Sequence, residues 1–419
     1  MRKFLFFFFL FISVNSNSQI GEIRRITEQL CSPEFHGRGY VNKGDSIAAN
    51  YLVKEFKKIG AEPYGKGFYQ PFQLSVNTFP GEMSLSQGEK SFTPGFHFSI
   101  DPSSRGGKFS LQPKEVNTEQ ILDLDYMRGI IGDMLNKPNT QIIVFNFLNA
   151  TKDSLNKIRS IVREIAQLMP IAEIVNTKFT WSVGREQLFY PYFQIQDSIY
   201  QKGVQLEMNV DAKVIQNYQT QNVIAYLPAK KKCKETIVFT AHYDHLGRMG
   251  ENTYFPGAND NASGTAMLLT MAKYFKEHPS KYNILFIAFA GEEAGLVGSK
   301  YYTEHPLLKL KKIKFLVNLD IMGSGEHGIT TVNGTLFKKE FELLQKINKE
   351  FDLLTKVNLR GPAANSDHYW FTEKGVPAFF IYTMGPNKHY HDIFDTYEEL
   401  SFSEYEDITK LLIEFVNRL

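Results

Sequence analysis

The strongest constraint on the fold is a series of continuous apolar runs that begins at Asn222 and continues almost to the end of the chain. Helical segments such as "SGTAMLLTMAKYFKE" separate these runs. Strands that are apolar throughout are buried on both faces, and their alternation with helices is typical of a parallel sheet covered by helices. We therefore predict an α/β fold with a mostly parallel central sheet flanked by helices. The runs are "NVIAYLP", "TIVFTAHYD", "YNILFIAFAGEE", "KFLVNLDIMG" and "VPAFFIYT".

The part of the chain before Asn222 changes character twice. From Gly44 to Gly60, apolar residues stand at helical spacing, and the final glycine is a natural helix stop. From about residue 76 to 218, short strand-like runs alternate with polar loops, which indicates an inserted β-rich module. The predicted divisions are a signal segment over 1–18, the first part of the α/β domain over 19–75, the module over 76–218 and the rest of the α/β domain over 219–419.

The first residues have the layout of a secretory signal peptide. Arg2 and Lys3 precede an apolar stretch from Phe4 to Val14, which small polar residues follow. This stretch is too short to span a bilayer, and no later segment reaches the ~18 apolar residues that a span needs. We predict cleavage near Ser18 and an exported protein, periplasmic or extracellular, without stable membrane insertion.

Charge and cysteine content narrow the function further. The 47 Lys and Arg exceed the 45 Asp and Glu by two, and Arg2 and Lys3 account for that excess. We therefore predict no nucleic-acid partner. Cys31 and Cys233 are too few for a disulfide framework or a cysteine metal cage, so one bridge and two free thiols both remain open. The sequence does not predict the oligomeric state.

Three of the apolar runs end in acidic or imidazole side chains. In α/β sheets the carboxyl ends of the strands are where ligands bind, and two loops supply further residues of the same types. Acids and imidazoles that converge at one sheet edge repel one another without a counter-ion, so the cluster predicts a divalent metal. The strand-end candidates are His242, Asp244, His245, Glu292, Glu293 and Asp320, and the loop candidates are Asp260, His389, His391, Asp392 and Asp395.

The order and spelling of these motifs resemble the co-catalytic di-zinc aminopeptidases, which include leucyl aminopeptidases and are related to glutamate carboxypeptidases and glutaminyl cyclases. The stretch "SPEFHGRG" near the start of the chain also resembles the opening of the family, and with it the matched stretches cover about half of the chain. The β-rich module lies where many relatives carry a protease-associated insert. The matched stretches are "AHYDHLG", "GANDNASG", "AGEEAGLVGS", "NLDIMG", "SDHYWF" and "YHDIFDT".

The resemblance implies a zinc-peptidase fold with two zinc ions per chain. It implies that Glu292 is the general base, which takes a proton from a metal-activated bridging water and passes it to the leaving amine. His391 is preferred to His389 because it stands four residues before Asp395, the spacing of the family motif. The family places no ligand at His245. The implied ligands are His242 and Asp320 for one zinc, Glu293 and His391 for the other, and Asp260 for both.

Three more residues are candidates for supporting roles. Asp244, two residues after His242, fits the carboxylate that orients a metal-bound imidazole. Asp367 in "SDHYWF" is expected either to support the pocket or to face the substrate. Tyr382 is a candidate donor to the oxyanion that develops during amide hydrolysis.

The predicted function is hydrolysis of N-terminal residues from peptides by an exported zinc-dependent aminopeptidase. A glutaminyl cyclase is one alternative, and it would use a single zinc and no hydrolytic water. A carboxypeptidase acting on acidic C-termini is another, and it would need basic residues in the pocket, where the sequence cannot place Arg360 or Lys388. A non-catalytic binding protein would be expected to lack a ligand or the base, whereas all six positions are present here.

Overall fold

The computed structural model describes residues 16–137 and 139–419. The predicted signal segment lies outside the described residues except for its last three, which belong to the first helix. Both cysteines, Cys31 and Cys233, are free thiols. Of the two alternatives left open by the sequence, the structure therefore has two thiols and not a disulfide bridge. Within the described ranges, no helix has the length and apolar character needed to cross a membrane.

The N-terminal part consists of two helices and two strands. The second helix ends where the sequence predicts, because Gly60 adopts a left-handed conformation with φ of 82° at no steric cost. Both helices pack on the main sheet described below. The elements are α1 (Ser16–Cys31), α2 (Gly44–Ile59), β1 (Glu62–Pro63) and β2 (Tyr69–Thr78).

The middle of the chain forms a sheet of its own, which we call the second sheet. Its strands are β3 (Met83–Gln87), β4 (Lys90–Phe92), β5 (Phe98–Ile100), β6 (Gly107–Asn117), β7 (Gln141–Asn146), β8 (Ile171–Val175), β9 (Tyr192–Gln196) and β10 (Leu206–Val210), and its helices are α3 (Thr118–Leu122), α4 (Leu124–Leu135) and α5 (Lys152–Ile165). In the described chain the strand order is β4-β3-β10-β6-β7-β8-β9-β5. In β7, Val144 faces one apolar core and Phe145 the other, since successive side chains of a strand point to opposite faces. This sheet lies within the predicted β-rich module, and its kinship with protease-associated inserts stays a prediction.

The remaining elements build the main sheet. Its strands are β11 (Lys213–Leu227), β12 (Thr236–His242), β13 (Asn283–Phe289), β14 (Ile313–Leu319), β15 (Ile329–Val332), β16 (Val357–Leu359) and β17 (Ala378–Thr383), and its helices are α6 (Gly264–Glu277), α7 (Val297–Glu304), α8 (Lys338–Phe351), α9 (His368–Glu373) and α10 (Tyr405–Arg418). The order over the described residues is β1-β11-β13-β12-β14-β17-β15-β16, and β2 also pairs with β11. The four central strands, β13, β12, β14 and β17, are parallel, as predicted.

The prediction is too broad at the edges of the main sheet. β11 pairs antiparallel with both β13 and β2, and β15 pairs antiparallel with β17. β2 leads into the second sheet and β11 returns from it, so the two strands run side by side in opposite directions. The apolar pattern of β11 indicates burial on both faces, and it carries no information about strand direction.

Both faces of the central strands are covered. In β12, Phe239 joins the core beneath α1, α2, α6 and α10, and Val238 joins the core beneath α7 and α9. All seven residues of this strand are buried, and four of them are apolar, as is typical of a strand covered on both faces. Because β12, β13 and β14 are parallel, their carboxyl ends meet at one edge, and the residues that follow them come together there.

Candidate metal centre

The carboxyl edge of the central strands opens into a pocket of about 280 Å³. β12 ends at His242, and Asp320 follows β14 directly. Asp260 lies in the turn that leads into α6, and His391 lies in the loop 384–396 after β17. Glu292 follows β13 and lines the same pocket. The fold therefore brings together the residues that the sequence separates by up to 149 positions.

The first ligand group consists of His242 and Asp320, which stand at strand ends, and of Asp260. His242 Nε2 lies 3.2 Å from Asp260 Oδ1 and 3.4 Å from Asp320 Oδ1. The far side of the imidazole donates from Nδ1 to the main-chain oxygen of Asp244, at 3.1 Å. The Ser366 hydroxyl donates to Asp320 Oδ2 at 2.7 Å. Each partner thereby fixes a ligand so that one donor atom faces the other ligands of this first ligand group.

The second ligand group consists of Glu293 and His391, which stand on loops, and again of Asp260. His391 Nε2 lies 3.1 Å from Asp260 Oδ2 and 3.1 Å from Glu293 Oε2. His391 Nδ1 donates to the main-chain oxygen of Trp181 at 2.9 Å. His245 Nδ1 donates to Glu293 Oε1 at 2.7 Å, which leaves Oε2 for the centre. This second ligand group thus has the same design as the first, with its outer atoms held by neighbouring residues.

Asp260 belongs to both ligand groups, one through each carboxylate oxygen. Its backbone N–H donates to Asp395 Oδ2 at 3.0 Å, and the N–H of Asn259 donates to the same carboxylate. Its main-chain oxygen accepts from Arg38, at 3.3 Å. The peptide bond between Asp260 and Asn261 is cis. These contacts hold the shared carboxylate between the two histidines.

The adjacent glutamates that follow β13 have different surroundings. Glu292 lines the pocket, and its N–H donates to Asp244 Oδ1 at 3.2 Å. Glu293 points instead to His245 and His391. Neighbouring side chains on an extended backbone point in different directions, so one carboxylate joins the second ligand group while the other remains in the pocket.

The cluster carries more carboxylates than its imidazoles neutralise. Burial raises the pKa of Glu292 well above its ordinary value, and burial raises the pKa of both Asp244 and Asp367 to about 7. Burial also acts to raise the pKa of Glu293, but the charge of His391 and hydrogen bonds from His245 and His391 outweigh it and lower that pKa to about 2. No lysine or arginine in the described chain lies within 4 Å of these carboxylates. A bound cation would relieve this repulsion.

The donor atoms fit a zinc ion. Imidazole nitrogens and carboxylate oxygens are the ligands that zinc takes at catalytic sites, at ~2.0–2.2 Å. Ligand atoms arranged tetrahedrally at that distance stand about 3.3 Å apart, close to the 3.1–3.4 Å separations within both groups. Three sets of residues each place one possible ligand atom per residue within 4.8 Å of the others in the set. The sets overlap, and they are His242 with Asp260 and Asp320, His242 with Glu292 and Glu293, and His245 with Asp260 and Glu293.

The family is identified by the sequence of the segment that forms most of the main sheet. Residues 222–416 match peptidase family M28. This segment is a peptidase family M28 domain. It contains the five residues of the two ligand groups and Glu292, whereas the second sheet and helices α1 and α2 lie outside the matched residues.

Relatives of the M28 domain are peptidases. Aminopeptidase YwaD of Bacillus subtilis is 34% identical over 212 residues, which are 47% of this chain and 44% of that protein. Leucine aminopeptidase 1 of Arthroderma otae is 26% identical over 60% of this chain and 72% of its own length. The chain thus spans less than half the length of YwaD.

Solved structures show that the fold is shared. The structure of BSAP, a zinc aminopeptidase from Bacillus subtilis, matches with a TM-score of 0.68 and 19% identity over 95% of this chain and 94% of that one. A peptidase M28 precursor from Shewanella amazonensis matches with a TM-score of 0.66 and 15% identity over 94% and 96%. At this identity the likeness concerns the fold alone.

The residues predicted to support the site lie on the wall of the pocket at the carboxyl edge of the central strands or close behind it. Tyr382 lines it, and its hydroxyl accepts from Arg360 at 3.2 Å. Arg360 also lines the pocket, whereas Lys388 does not. Asp367 is fully buried and does not line the pocket, and its role stays a prediction.

The support of His242 differs in one detail from the expectation. His242 Nδ1 lies 3.8 Å from Asp244 Oδ1 but 3.1 Å from the Asp244 main-chain oxygen. The main chain of Asp244 therefore makes the closer contact, and its carboxylate accepts from the N–H of Glu292 instead.

Two residues that support the site, Arg38 and His245, have no role assigned by the sequence analysis. Arg38 is fully buried and donates to five main-chain oxygens, those of Leu30, Tyr243, Pro256, Gly257 and Asp260. Its position in the opening "SPEFHGRG" was the available signal. The resemblance implies no ligand at His245, although this residue follows the same strand as His242, three residues further on.

Proposed function

We propose that the chain is a zinc-dependent aminopeptidase that hydrolyses N-terminal residues from peptides. The observation that carries the proposal is that two ligand groups share Asp260 beside a pocket that also contains Glu292. The relatives' names, an aminopeptidase and a leucine aminopeptidase, support the same activity. The pocket volume, about 280 Å³, is just below the ~300–1,000 Å³ typical of ligand pockets and suits a single terminal residue.

The first and second ligand groups would each hold one zinc ion, with Asp260 common to both. Zinc bound there would supply Lewis acidity, which lowers the pKa of water and polarises a peptide carbonyl. Glu292 would take the proton of the attacking water and deliver it to the leaving amine. The Tyr382 hydroxyl, on the pocket wall, would donate to the oxyanion that develops on the carbonyl.

Export through a signal peptide, to the periplasm or the extracellular space, is part of the proposal. It rests on the basic, apolar and small polar stretches of residues 1–18. Mass determination of the N-terminus of the protein recovered from an exporting host tests it. A mature chain that begins near residue 19 is the expected result, and an intact Met1 in the recovered protein would contradict export by this route.

The decisive experiment measures zinc content and amide hydrolysis on the same preparation. The purified full chain is analysed for metal, and its rate on an N-terminal aminoacyl chromogenic substrate is measured before and after treatment with a chelator. We expect two zinc ions per chain, with activity that is lost on chelation and restored by zinc. Glu292→Gln serves as the control that hydrolysis comes from this pocket and not from a contaminating peptidase.

The alternatives predict other results. A glutaminyl cyclase would contain one zinc, release ammonia from N-terminal glutamine and leave the chromogenic substrate intact. A carboxypeptidase would release the C-terminal residue of a peptide whose N-terminus is blocked, and an aminopeptidase would not. Mass analysis of products from one peptide with either end blocked separates these reactions.

A further inference from the structure

The second sheet reaches into the metal centre through one loop. The loop 176–191 joins β8 to β9 and carries Trp181, whose main-chain oxygen accepts from His391 Nδ1 at 2.9 Å. The N–H of Trp181 donates to the main-chain oxygen of His391 at 2.8 Å. The two residues, 210 positions apart, thus form a reciprocal pair in which a ligand candidate is held by both its ring and its backbone.

Lys178, in the same loop, holds the segment on either side of His391. Its ammonium donates to the main-chain oxygen of Lys388 at 2.8 Å and to Asp392 Oδ2 at 2.9 Å. The Asp392 side chain is 4% exposed and has Lys178 as its cationic partner, so this ion pair is partly shielded from water. Lys178 and Trp181 therefore bond the loop 384–396 at four residues, namely Lys388, Tyr390, His391 and Asp392.

The backbone of His391 requires such support. Its φ is +54°, in the left-handed region that residues with a side chain rarely adopt. The N–H of Trp181 holds the carbonyl of this residue in that conformation. Trp181 is itself anchored on both sides, because its indole N–H donates to the main-chain oxygen of Ile100 in β5 of the second sheet at 2.7 Å, and its ring stacks on Phe255, from the loop after β12, with the ring centroids 4.8 Å apart.

We propose that the second sheet is a working part of the metal centre, in which Trp181 and Lys178 are positioning residues that orient His391 for metal binding. The hydrogen bond to the Trp181 oxygen fixes the proton on Nδ1 and leaves Nε2 free to bind metal. Among the described residues, His242 and Asp320 of the first ligand group have no such hydrogen bond to the second sheet, since their partners Asp244 and Ser366 lie within residues 222–416. The inference rests on the proposed metal-dependent function.

The test measures zinc affinity, ion by ion, in the metal-free full chain by competition with a chromophoric chelator. We expect Lys178→Gln to weaken one zinc about 10-fold, within the ~10–100-fold typical of residues that orient a metal ligand, and to leave the other zinc unchanged. Lys178→Arg keeps the charge and is expected to restore affinity. Lys202→Gln is the matched control, because Lys202 pairs with Glu115 of the second sheet, away from the centre.

A reference variant identifies the zinc concerned. His391→Ala is expected to lose the zinc that Lys178→Gln weakens, and the double variant is expected to bind the remaining zinc as tightly as His391→Ala alone. Trp181→Phe keeps the aromatic ring and removes the donor to Ile100, and it is expected to weaken the same zinc.

Two outcomes would overturn the inference. One is wild-type affinity for every zinc in both Lys178→Gln and Trp181→Phe. The other is an equal loss at both zinc ions, which would indicate general loosening of the fold. Failure of the proposed function is distinguishable, because the wild-type chain would then bind zinc with the expected dependence on Lys178 and hydrolyse no peptide.

Discussion

The two ligand groups that share Asp260 are built on different parts of the fold. In the first group, His242 and Asp320 stand at the ends of adjacent parallel strands, and the sheet itself places them side by side. In the second group, Glu293 and His391 stand on loops and depend on hydrogen bonds from His245 and to Trp181. A strand-end ligand is positioned by the core of the domain, whereas a loop ligand is positioned by whatever contacts the loop. The second group should therefore be the more sensitive to substitutions outside the ligands.

The largest effect is expected where the two groups cannot be separated. Asp260→Ala removes an oxygen from each group, so zinc binding should weaken at both sites by more than about 100-fold and hydrolysis should fall below detection. Equilibrium dialysis against zinc and the chromogenic assay measure the two losses. Asp125→Ala, at an exposed position of α4, is the matched control. A variant that retains one zinc at wild-type affinity would show that Asp260 is not shared.

The next largest effect is expected at Glu292, which belongs to neither ligand group. Glu292→Gln fills the same space but cannot accept a proton, so kcat should fall by about 10²–10⁴-fold while both zinc ions remain bound. Steady-state kinetics together with metal analysis checks both halves of this expectation. Near-normal turnover would make the assignment of the base wrong, and loss of zinc would make Glu292 a ligand.

A pair of variants sharpens the difference between the groups. His245→Ala removes the donor to Glu293 and should weaken one zinc by about 10–100-fold, and Ser366→Ala removes the donor to Asp320 and should weaken the other by less. His245→Asn retains a donor near the position of Nδ1 and should recover most of the affinity. Chelator competition measures each zinc separately. If both alanine variants weakened the same zinc, the division into two groups would be wrong.

The smallest effect concerns Arg360 and Tyr382 on the pocket wall. Arg360 donates to the Tyr382 hydroxyl, and no carboxylate of the described residues lies within 4 Å of its guanidinium. Its charge should favour substrates that carry a carboxylate on the terminal residue, so Arg360→Gln should lower kcat/KM for N-terminal glutamate about 10-fold more than for leucine. Lys388→Gln, which lies outside the pocket lining, is the control. Equal changes for the two substrates would remove Arg360 from substrate selection.

The sequence reveals the first group more readily than the second. Apolar strands that end in His242 and Asp320 predict their meeting from sheet geometry alone, because parallel strands end at one edge. Asp260 and His391 stand on turns, and only the spelling of the surrounding motifs indicated them. Trp181 acts through its main-chain oxygen, which every residue possesses, so no residue type at that position would have marked it. The antiparallel direction of the edge strands could not be predicted for a similar reason, because the apolar run of β11 is the same in either direction.

The contacts of Arg38 have a consequence for the order in which the protein matures. This guanidinium, near the amino end of the chain, bonds the carbonyl of Asp260, and His391 completes the same centre near the carboxyl end. Contacts between such distant positions close late, because the chain between them must first be brought together. The centre is therefore incomplete until the segments that carry Arg38 and His391 have both reached Asp260. A chain built in this way acquires both ligand groups together, at the end of folding and not along the way.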